Sequence, residues 1–188
     1  MEKEKIKKSK KLKTIDIAYI GIFAALIAVC SWISIPLAVP VTLQTMAVCI
    51  AAGLLGTKKS VLTVIVYILL GLIGVPVFSG FSSGAGVLFG ITGGYIIGFI
   101  FTALIVGIML KGLGKKVWVY ALSMFIGIAV CYAFGTAWFV LYNNSNSADS
   151  VTIGAALSMC VVPFIIPDIV KIAIATLLCK RLDKHVKA

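Results

Sequence analysis

An aspartate and a lysine stand three residues apart inside the last long apolar stretch of the chain, in the segment Pro167-Asp168-Ile169-Val170-Lys171. On an α-helix this spacing places both side chains on one face, where they reach each other or one shared ligand. A charge at the centre of a membrane helix costs roughly 2.5–3.5 kcal/mol and usually faces a cavity or a partner. Asp168 can accept from N–H groups, and Lys171 can donate to a carbonyl or pair with a carboxylate. The pair is therefore the first candidate for a site that binds a polar solute.

A structural salt bridge that binds nothing is the alternative role for this pair. A buried ion pair gains little over well-packed apolar side chains, which favours binding. Counting inward from Lys180 at about 1.5 Å per residue places Lys171 roughly 13 Å, and Asp168 roughly 18 Å, above the inner membrane boundary. Pro167 lacks a backbone donor and is predicted to kink the helix beside both charges.

The composition places these charges in a membrane. Of the 188 residues, 61% are hydrophobic and 12% are charged, and the mean hydropathy is +1.15. A soluble domain has roughly 45–50% apolar and about 25% charged residues. The net charge of +11 would suggest nucleic acid as a partner of a soluble protein, but here the basic residues stand at the ends of apolar runs. We expect a polytopic membrane protein that binds no nucleic acid.

The hydropathy predicts an all-α membrane protein, a bundle of six transmembrane helices. Crossing a bilayer takes roughly 20 apolar residues. The predicted spans are about 15–35, 41–56, 60–75, 91–110, 117–142 and a last run that ends at Lys180-Arg181. The domain organisation follows as a basic N-terminal arm (residues 1–14), the six-helix domain (15–182) and a short tail (183–188).

The distribution of basic residues orients the bundle. Every lysine and arginine except Lys171 falls in the N-terminal arm, in the loops after the second and fourth spans, or near the C-terminus. The positive-inside rule then predicts that both termini are cytoplasmic, in a cell membrane. Prolines and the glycine-rich connection 78–86 make the other end of the bundle irregular. Irregular backbone at membrane depth is tolerated where it lines a cavity, so we expect a ligand cavity that opens outward.

Several further residues are candidates to line this cavity. Gln44 opens the second span, where it acts either as a cap or interhelical hydrogen-bond partner, or as a ligand contact. Phe81 and Ser82 lie in the glycine-rich connection, which is either a plain linker or a lid. The hydroxyl of Tyr95 needs a partner. Tyr132 and Trp138, aromatic residues with polar tips near the outer end of the fifth span, belong either to an interfacial aromatic belt or to a wall that stacks on a ring-shaped ligand.

Small residues form a ridge on the first span, at Gly21, Ala24, Ala25 and Ala28. Such surfaces mark helix–helix contact. The ridge serves either internal packing or docking to another membrane protein.

Enzymatic activity is not expected. The single histidine, His185, lies in the tail, the five cysteines show no paired spacing, and no nucleotide-binding motif is present. We therefore predict no catalytic residue, no metal site and no cofactor, and read the cysteines as small buried apolar residues. Two alternative functions stay open. One is a self-sufficient secondary transporter that uses Asp168 as a proton site, and the other is an assembly subunit that binds no solute.

Four motifs resemble one known family in order and spacing. They are Pro-Val-Thr-Leu-Gln-Thr at 40–45, Gly-Val-Pro-Val-Phe at 74–78, Gly-Ile-Thr-Gly-Gly-Tyr at 90–95 and Pro-Asp-Ile-Val-Lys at 167–171. They resemble the BioY family, the biotin-specific substrate-binding (S) components of energy-coupling factor (ECF) transporters. Two departures concern the cavity: the family commonly has proline where Ile91 stands, and an asparagine in the lid where this chain has Ser82 and Ser83.

The resemblance implies an S component that captures biotin from outside with high affinity, as a transported ligand. It would associate with a transmembrane coupling subunit and two cytoplasmic ATPases, and toppling of the S component would release biotin inward. Asp168 and Lys171 would bind biotin, the loop around Ser82 would cover it, and the ridge on the first span would dock on the coupling subunit. Lys171 meets either the ureido carbonyl or the valerate carboxylate.

Overall fold

The computed structural model describes residues 12–37, 39–146 and 151–186, so most of the predicted N-terminal arm lies outside the described residues. The described chain is almost wholly helical. Its helices are α1 (Thr14–Trp32), α2 (Gln44–Leu72), α3 (Ala85–Leu88), α4 (Gly93–Leu113), α5 (Val117–Asn146), α6 (Ile153–Cys160) and α7 (Val162–Leu182). Strands β1 (Ser34–Ile35) and β2 (Val41–Thr42) pair antiparallel, and a 3₁₀ turn covers Ser79–Phe81.

Five segments within the described residues are long and apolar enough to cross a membrane, with mean hydropathies of 1.6 to 2.3. They are α1, α2, α4, α5 and the combined segment Ile153–Leu182. This confirms the prediction of an all-α membrane protein. Three predicted spans correspond to α1, α4 and α5, whereas the predicted second and third spans fall together in α2.

A break at Gly56 divides α2. Its backbone has φ 74° and ψ 171°, a conformation that is open to glycine and strained for other residues. The break packs closely on α4, since a Cβ added to Gly107 would lie 2.5 Å from the Thr57 Cα. Two helical stretches therefore meet at the boundary between the predicted spans 41–56 and 60–75.

The predicted last span is also divided. Val161, with φ −124° and ψ −51°, separates α6 from α7. Pro163 lies in the first turn of α7. A backbone N–H at this position has no intrahelical acceptor, so the proline costs the helix no hydrogen bond. Pro167 lies inside α7, directly before Asp168.

Glycines bring α4 and α5 into close contact. A Cβ on Gly98 would lie 2.8 Å from the Cys131 sulfur, and a Cβ on Gly94 or Gly135 would run into the Trp138 or Tyr95 side chain. The glycines at these positions therefore allow close packing of the two helices.

Two ion pairs lie at one end of the bundle. Lys59, just after the α2 break, lies 2.7 Å from Asp16 at the start of α1. Lys115, between α4 and α5, pairs with Asp183 after α7. These contacts bring the predicted basic loops together at one end.

The opposite end holds the hairpin and the loop between α2 and α4. Ser31 donates to the Val77 carbonyl at 2.6 Å, and the Phe78 amide donates to the Ser82 carbonyl at 3.0 Å. The Phe78 ring lies directly against Gly71, which leaves no room for a Cβ there. The irregular segments are thus folded onto the helices as an ordered cap.

Candidate ligand-binding site

The two charges in α7 form a buried ion pair. The Lys171 Nζ atom lies 2.8 Å from Asp168 Oδ1, and the two residues are only 5% and 4% exposed. Their i, i+3 spacing on one helix face produces this contact directly. A pair so deeply buried is stable only when its remaining hydrogen-bonding positions are also filled.

Side chains from two other helices fill those positions. Thr45 of α2 accepts from Lys171 Nζ and donates to Asp168 Oδ1, both at 3.4 Å. Tyr132 of α5 donates its hydroxyl to Asp168 Oδ2. The ion pair therefore belongs to a four-residue network that ties α2, α5 and α7 together.

Sequence reasoning did not select these two partners. Thr45 appeared only within a motif, and Tyr132 only among aromatic residues near the outer end of its span. Their contacts with Asp168 join positions 123 and 36 residues apart, so no local spacing reveals them. The one available signal is that Tyr132 carries a polar group inside an apolar span.

A cavity of about 350 Å³ lies beside the network, between the helices and the cap. Four predicted residues line it, together with the two network partners; they are Gln44, Ser82, Tyr95, Lys171, Thr45 and Tyr132. Pro40 and Ser79 are among the loop residues at its rim. They lie at the end of the bundle opposite the Lys59–Asp16 and Lys115–Asp183 pairs. The cavity is therefore lined by one charged side chain, that of Lys171, and by aromatic and hydroxyl-bearing side chains.

Asp168 lies behind Lys171 as seen from this cavity. It lines a second, apolar groove between α5 and the α6–α7 segment, whereas Tyr132 lines both spaces. Both Asp168 oxygens already accept hydrogen bonds. A ligand in the cavity therefore meets the Lys171 ammonium first, and reaches the carboxylate only by sharing its acceptor positions.

Gln44 has two roles at once. It lines the cavity, and its amide nitrogen donates to the Tyr67 hydroxyl. Tyr67 in turn donates to the Val77 carbonyl at 3.2 Å. The hydrogen bond proposed as an alternative is thus present, between the two stretches of α2 on either side of Gly56, and it connects the cavity wall to the cap.

Aromatic side chains form one side of the cavity. The Tyr95 hydroxyl lies 3.0 Å from Thr136 Oγ1, which supplies its expected partner. The Tyr132 ring stands edge-on to Tyr95 and Phe164, with ring centroids 6.4 and 5.8 Å away. This arrangement holds the Tyr132 ring in place and leaves its hydroxyl on Asp168.

Two predicted wall residues lie elsewhere, which corrects the sequence-based placement. Phe81 is 63% exposed and stacks on Trp32 with a centroid distance of 4.9 Å. Phe81 has a left-handed φ of 57° and does not line the cavity. Trp138 does not line the cavity, because its ring packs on Gly94 and its Nε1 donates to the Gly90 carbonyl at 3.0 Å.

Ser82 does line the cavity, in the loop that closes it. Its hydroxyl donates to the Ser79 carbonyl at 2.7 Å, and its own carbonyl accepts from Phe78. Trp32 fastens the same loop from α1, since its Nε1 donates to the Pro76 carbonyl at 2.9 Å. The loop thus has the position expected of a lid.

The predicted docking ridge is split by the packing of α1. Ala24 and Ala28 are 1% and 6% exposed and belong to the core, whereas Gly21 and Ala25 are exposed. Consecutive residues on a helix point about 100° apart, so the i, i+4 pairs form two neighbouring stripes. Only the stripe with Gly21 and Ala25 is free to contact a partner.

The cysteines behave as predicted. All five are free and buried, so they act as small apolar residues. Within residues 12–37, 39–146 and 151–186, no three His, Cys, Asp or Glu side chains gather in a way that could hold a metal ion.

Comparison with known proteins gives a consistent result. Residues 4–188 match the BioY family. The chain is 44% identical to "Biotin transporter BioY" of Thermotoga maritima over 87% of this chain and 93% of the relative. It is 37% identical to "Probable biotin transporter BioY" of Pyrococcus horikoshii, over 92% and 98%.

One solved structure shares the fold. It is the crystal structure at 2.1 Å of the S-component for biotin from an ECF-type ABC transporter. The match has a TM-score of 0.83 at 27% identity and covers 93% of this chain and 95% of the other.

Proposed function

This chain belongs to the BioY family, and we propose that it is the biotin-binding S component of an ECF-type vitamin importer. The observation that carries the proposal is the buried Asp168–Lys171 pair, whose lysine lines a cavity of about 350 Å³. Burying charges at membrane depth costs free energy, so such charges usually have a function. The cavity beside them provides space for a ligand. The chain binds and releases its cargo and carries out no chemistry of its own, and biotin is that cargo with no cofactor involved.

The charge of the network favours one orientation of biotin. The Asp168–Lys171 pair has no net charge, so a neutral acceptor can bind to Lys171 without leaving an uncompensated charge in the protein. The ureido carbonyl is such an acceptor, and the ureido N–H groups are donors for Asp168 and Thr45. We therefore assign the ureido ring to this network and the valerate chain to the side of Ser82.

The rest of the cavity suits the apolar part of the ligand. Tyr95, Tyr132 and Phe164 would pack on the fused rings, and Phe99 would extend this wall. Gln44 would hold the opposite side in place through its bond to Tyr67. Phe81 and Trp138 have no direct part in this arrangement, and Phe81 contributes by fastening the lid to Trp32.

The membrane arrangement is also part of the proposal. Six spans follow if the two halves of α2 on either side of Gly56 each cross the membrane, with Lys58 and Lys59 in the turn between them. The basic end would then face the cytoplasm with both termini, and the cavity would open outward. The domain limits are the arm at 1–14, the six-helix unit at 15–182 and the tail at 183–188.

Partners complete the importer. A transmembrane coupling subunit and two cytoplasmic ATPases would supply the energy, because the chain lacks a nucleotide-binding motif of its own. The exposed stripe with Gly21 and Ala25 is the proposed docking surface, since small residues let another helix approach closely.

Calorimetric titration of the purified chain with biotin, riboflavin and thiamine in parallel tests the proposal. We expect saturable one-to-one binding of biotin and no comparable heat from the other two vitamins. Equal binding of all three, or of none, would reject the assignment. Uptake of biotin by liposomes that contain this chain alone would point instead to a self-sufficient transporter.

A further inference from the structure

An apolar groove of about 820 Å³ runs along the outside of the bundle, next to the ligand cavity. One bank is α5, and the other is the α6–α7 segment. Along α5 the lining extends from Phe125 to Leu141, which is about 24 Å at the rise of an α-helix. One leaflet of a bilayer is about 15 Å of hydrocarbon, half of the roughly 30 Å core. The groove is therefore long enough for a whole lipid tail.

Small residues keep the groove open. Ala129, Ala133 and Ala137 follow one another at i, i+4 spacing on α5, and all three are exposed. The opposite bank consists of large branched side chains, with Ile153 and Ile169 more than half exposed. A partner helix packs closely where small residues occupy the interface, and here they occupy only one bank. A thin, flexible hydrocarbon chain fits such a groove better than a second helix.

The polar atoms that line the groove already have hydrogen-bond partners within the protein. Within the described residues, three of its lining residues carry polar side-chain atoms: Tyr132, Thr136 and Asp168. Tyr132 and Asp168 are hydrogen-bonded to each other, and Thr136 is bonded to Tyr95 at 3.0 Å. Since these donors and acceptors are already paired, the remaining surface recognises hydrocarbon alone.

We propose that this groove binds an acyl chain of a bilayer phospholipid, and that the Tyr132 ring forms a wall shared by that chain and the ligand cavity. Tyr132 lines both spaces, so a bound tail would support the ring from the lipid side while biotin packs on its other side. The polar network and the lipid thereby share one wall.

Photo-cross-linking tests this proposal without any use of biotin. The purified chain is reconstituted into nanodiscs of phosphatidylcholine and phosphatidylglycerol that include a phosphatidylcholine with a diazirine in mid-acyl chain. Peptide mapping is expected to find several-fold more adducts in 125–141 and 153–172 than at other exposed apolar residues such as Ile22 and Ile108. An even distribution of adducts over the exposed helices would overturn the proposal.

Matched variants locate the adducts. Ala133→Phe fills the groove and is expected to reduce these adducts to the background level, and the milder Ala137→Leu should act in the same direction if Ala133→Phe folds poorly. Ala173→Phe changes an exposed alanine of α7 outside the groove and should leave them unchanged. Equal labelling of Ala133→Phe and Ala173→Phe, or loss of the adducts when the coupling subunit is present, would contradict a lipid as the occupant.

Discussion

Replacing Lys171 with methionine removes the ammonium group and keeps most of the volume of the side chain. The variant leaves the Asp168 carboxylate buried, with hydrogen bonds from Tyr132 and Thr45 but no neutralising charge. Removing one partner of a buried ion pair typically costs about 3–5 kcal/mol of folding free energy. Thermal unfolding in detergent should therefore occur at a clearly lower temperature than in the wild type.

The same substitution removes the proposed donor to the ureido carbonyl. A hydrogen bond to a charged group contributes about 1.5–3 kcal/mol, and tenfold in affinity corresponds to about 1.4 kcal/mol. Calorimetry should consequently show a Kd for biotin that is roughly 10- to 150-fold higher than that of the wild type. Lys180→Met, at the exposed end of the same helix, is the matched control and should change neither property much.

A double variant separates stability from binding. Asp168→Asn combined with Lys171→Met leaves no buried charge, so most of the lost stability should return, as for other buried pairs replaced by neutral side chains. The affinity for biotin should stay low, because the ammonium group that donates to the ureido carbonyl is still missing and an asparagine amide is a weaker acceptor than the Asp168 carboxylate. Wild-type affinity in the double variant would refute the role of the pair as a binding site.

Three further changes probe the surroundings of the pair. Tyr132→Phe keeps the ring but loses the bond to Asp168, so biotin affinity measured by calorimetry should fall about tenfold, and an unchanged Kd would contradict the network. Gly135→Ala forces a Cβ into the Tyr95 ring and should destabilise the fold by about 1–3 kcal/mol in thermal unfolding, whereas Gly112→Ala, with open space around it, should not. Trp32→Ala removes the stack on Phe81, worth about 0.5–1.5 kcal/mol, so stopped-flow dissociation of biotin should be about two- to tenfold faster, with the remote Trp118→Ala as control.

Local spacing accounts for the part of the site that could be predicted. Asp168 and Lys171 share one helix face, so their contact follows from the distance between them along the chain. Their partners Thr45 and Tyr132 arrive from other helices, and only the packing of the bundle decides which residues meet. Phe81 shows the same limit, because its stack on Trp32 depends on how the loop packs against α1.

The fold shows a similar division. Hydropathy identifies which stretches can enter a membrane, and the Gly56 break falls at the boundary between two predicted spans. Hydropathy does not say which side of a uniformly apolar helix faces the core. For this reason Ala24 and Ala28 could not be distinguished from Gly21 and Ala25 in the sequence, although only the first two are buried in the core.

Isotope-edited infrared spectroscopy of bound biotin tests the central claim most directly. Biotin carrying ¹³C in the ureido carbonyl and biotin carrying ¹³C in the valerate carboxylate would be bound in turn to the wild type and, at saturating concentration, to the Asp168→Asn/Lys171→Met variant. If Lys171 binds the ureido group, the carbonyl band shifts to lower frequency in the wild type and returns toward its solution position in the variant. A ureido band at its solution position in the wild type, with a shift confined to the carboxylate, would contradict the claim.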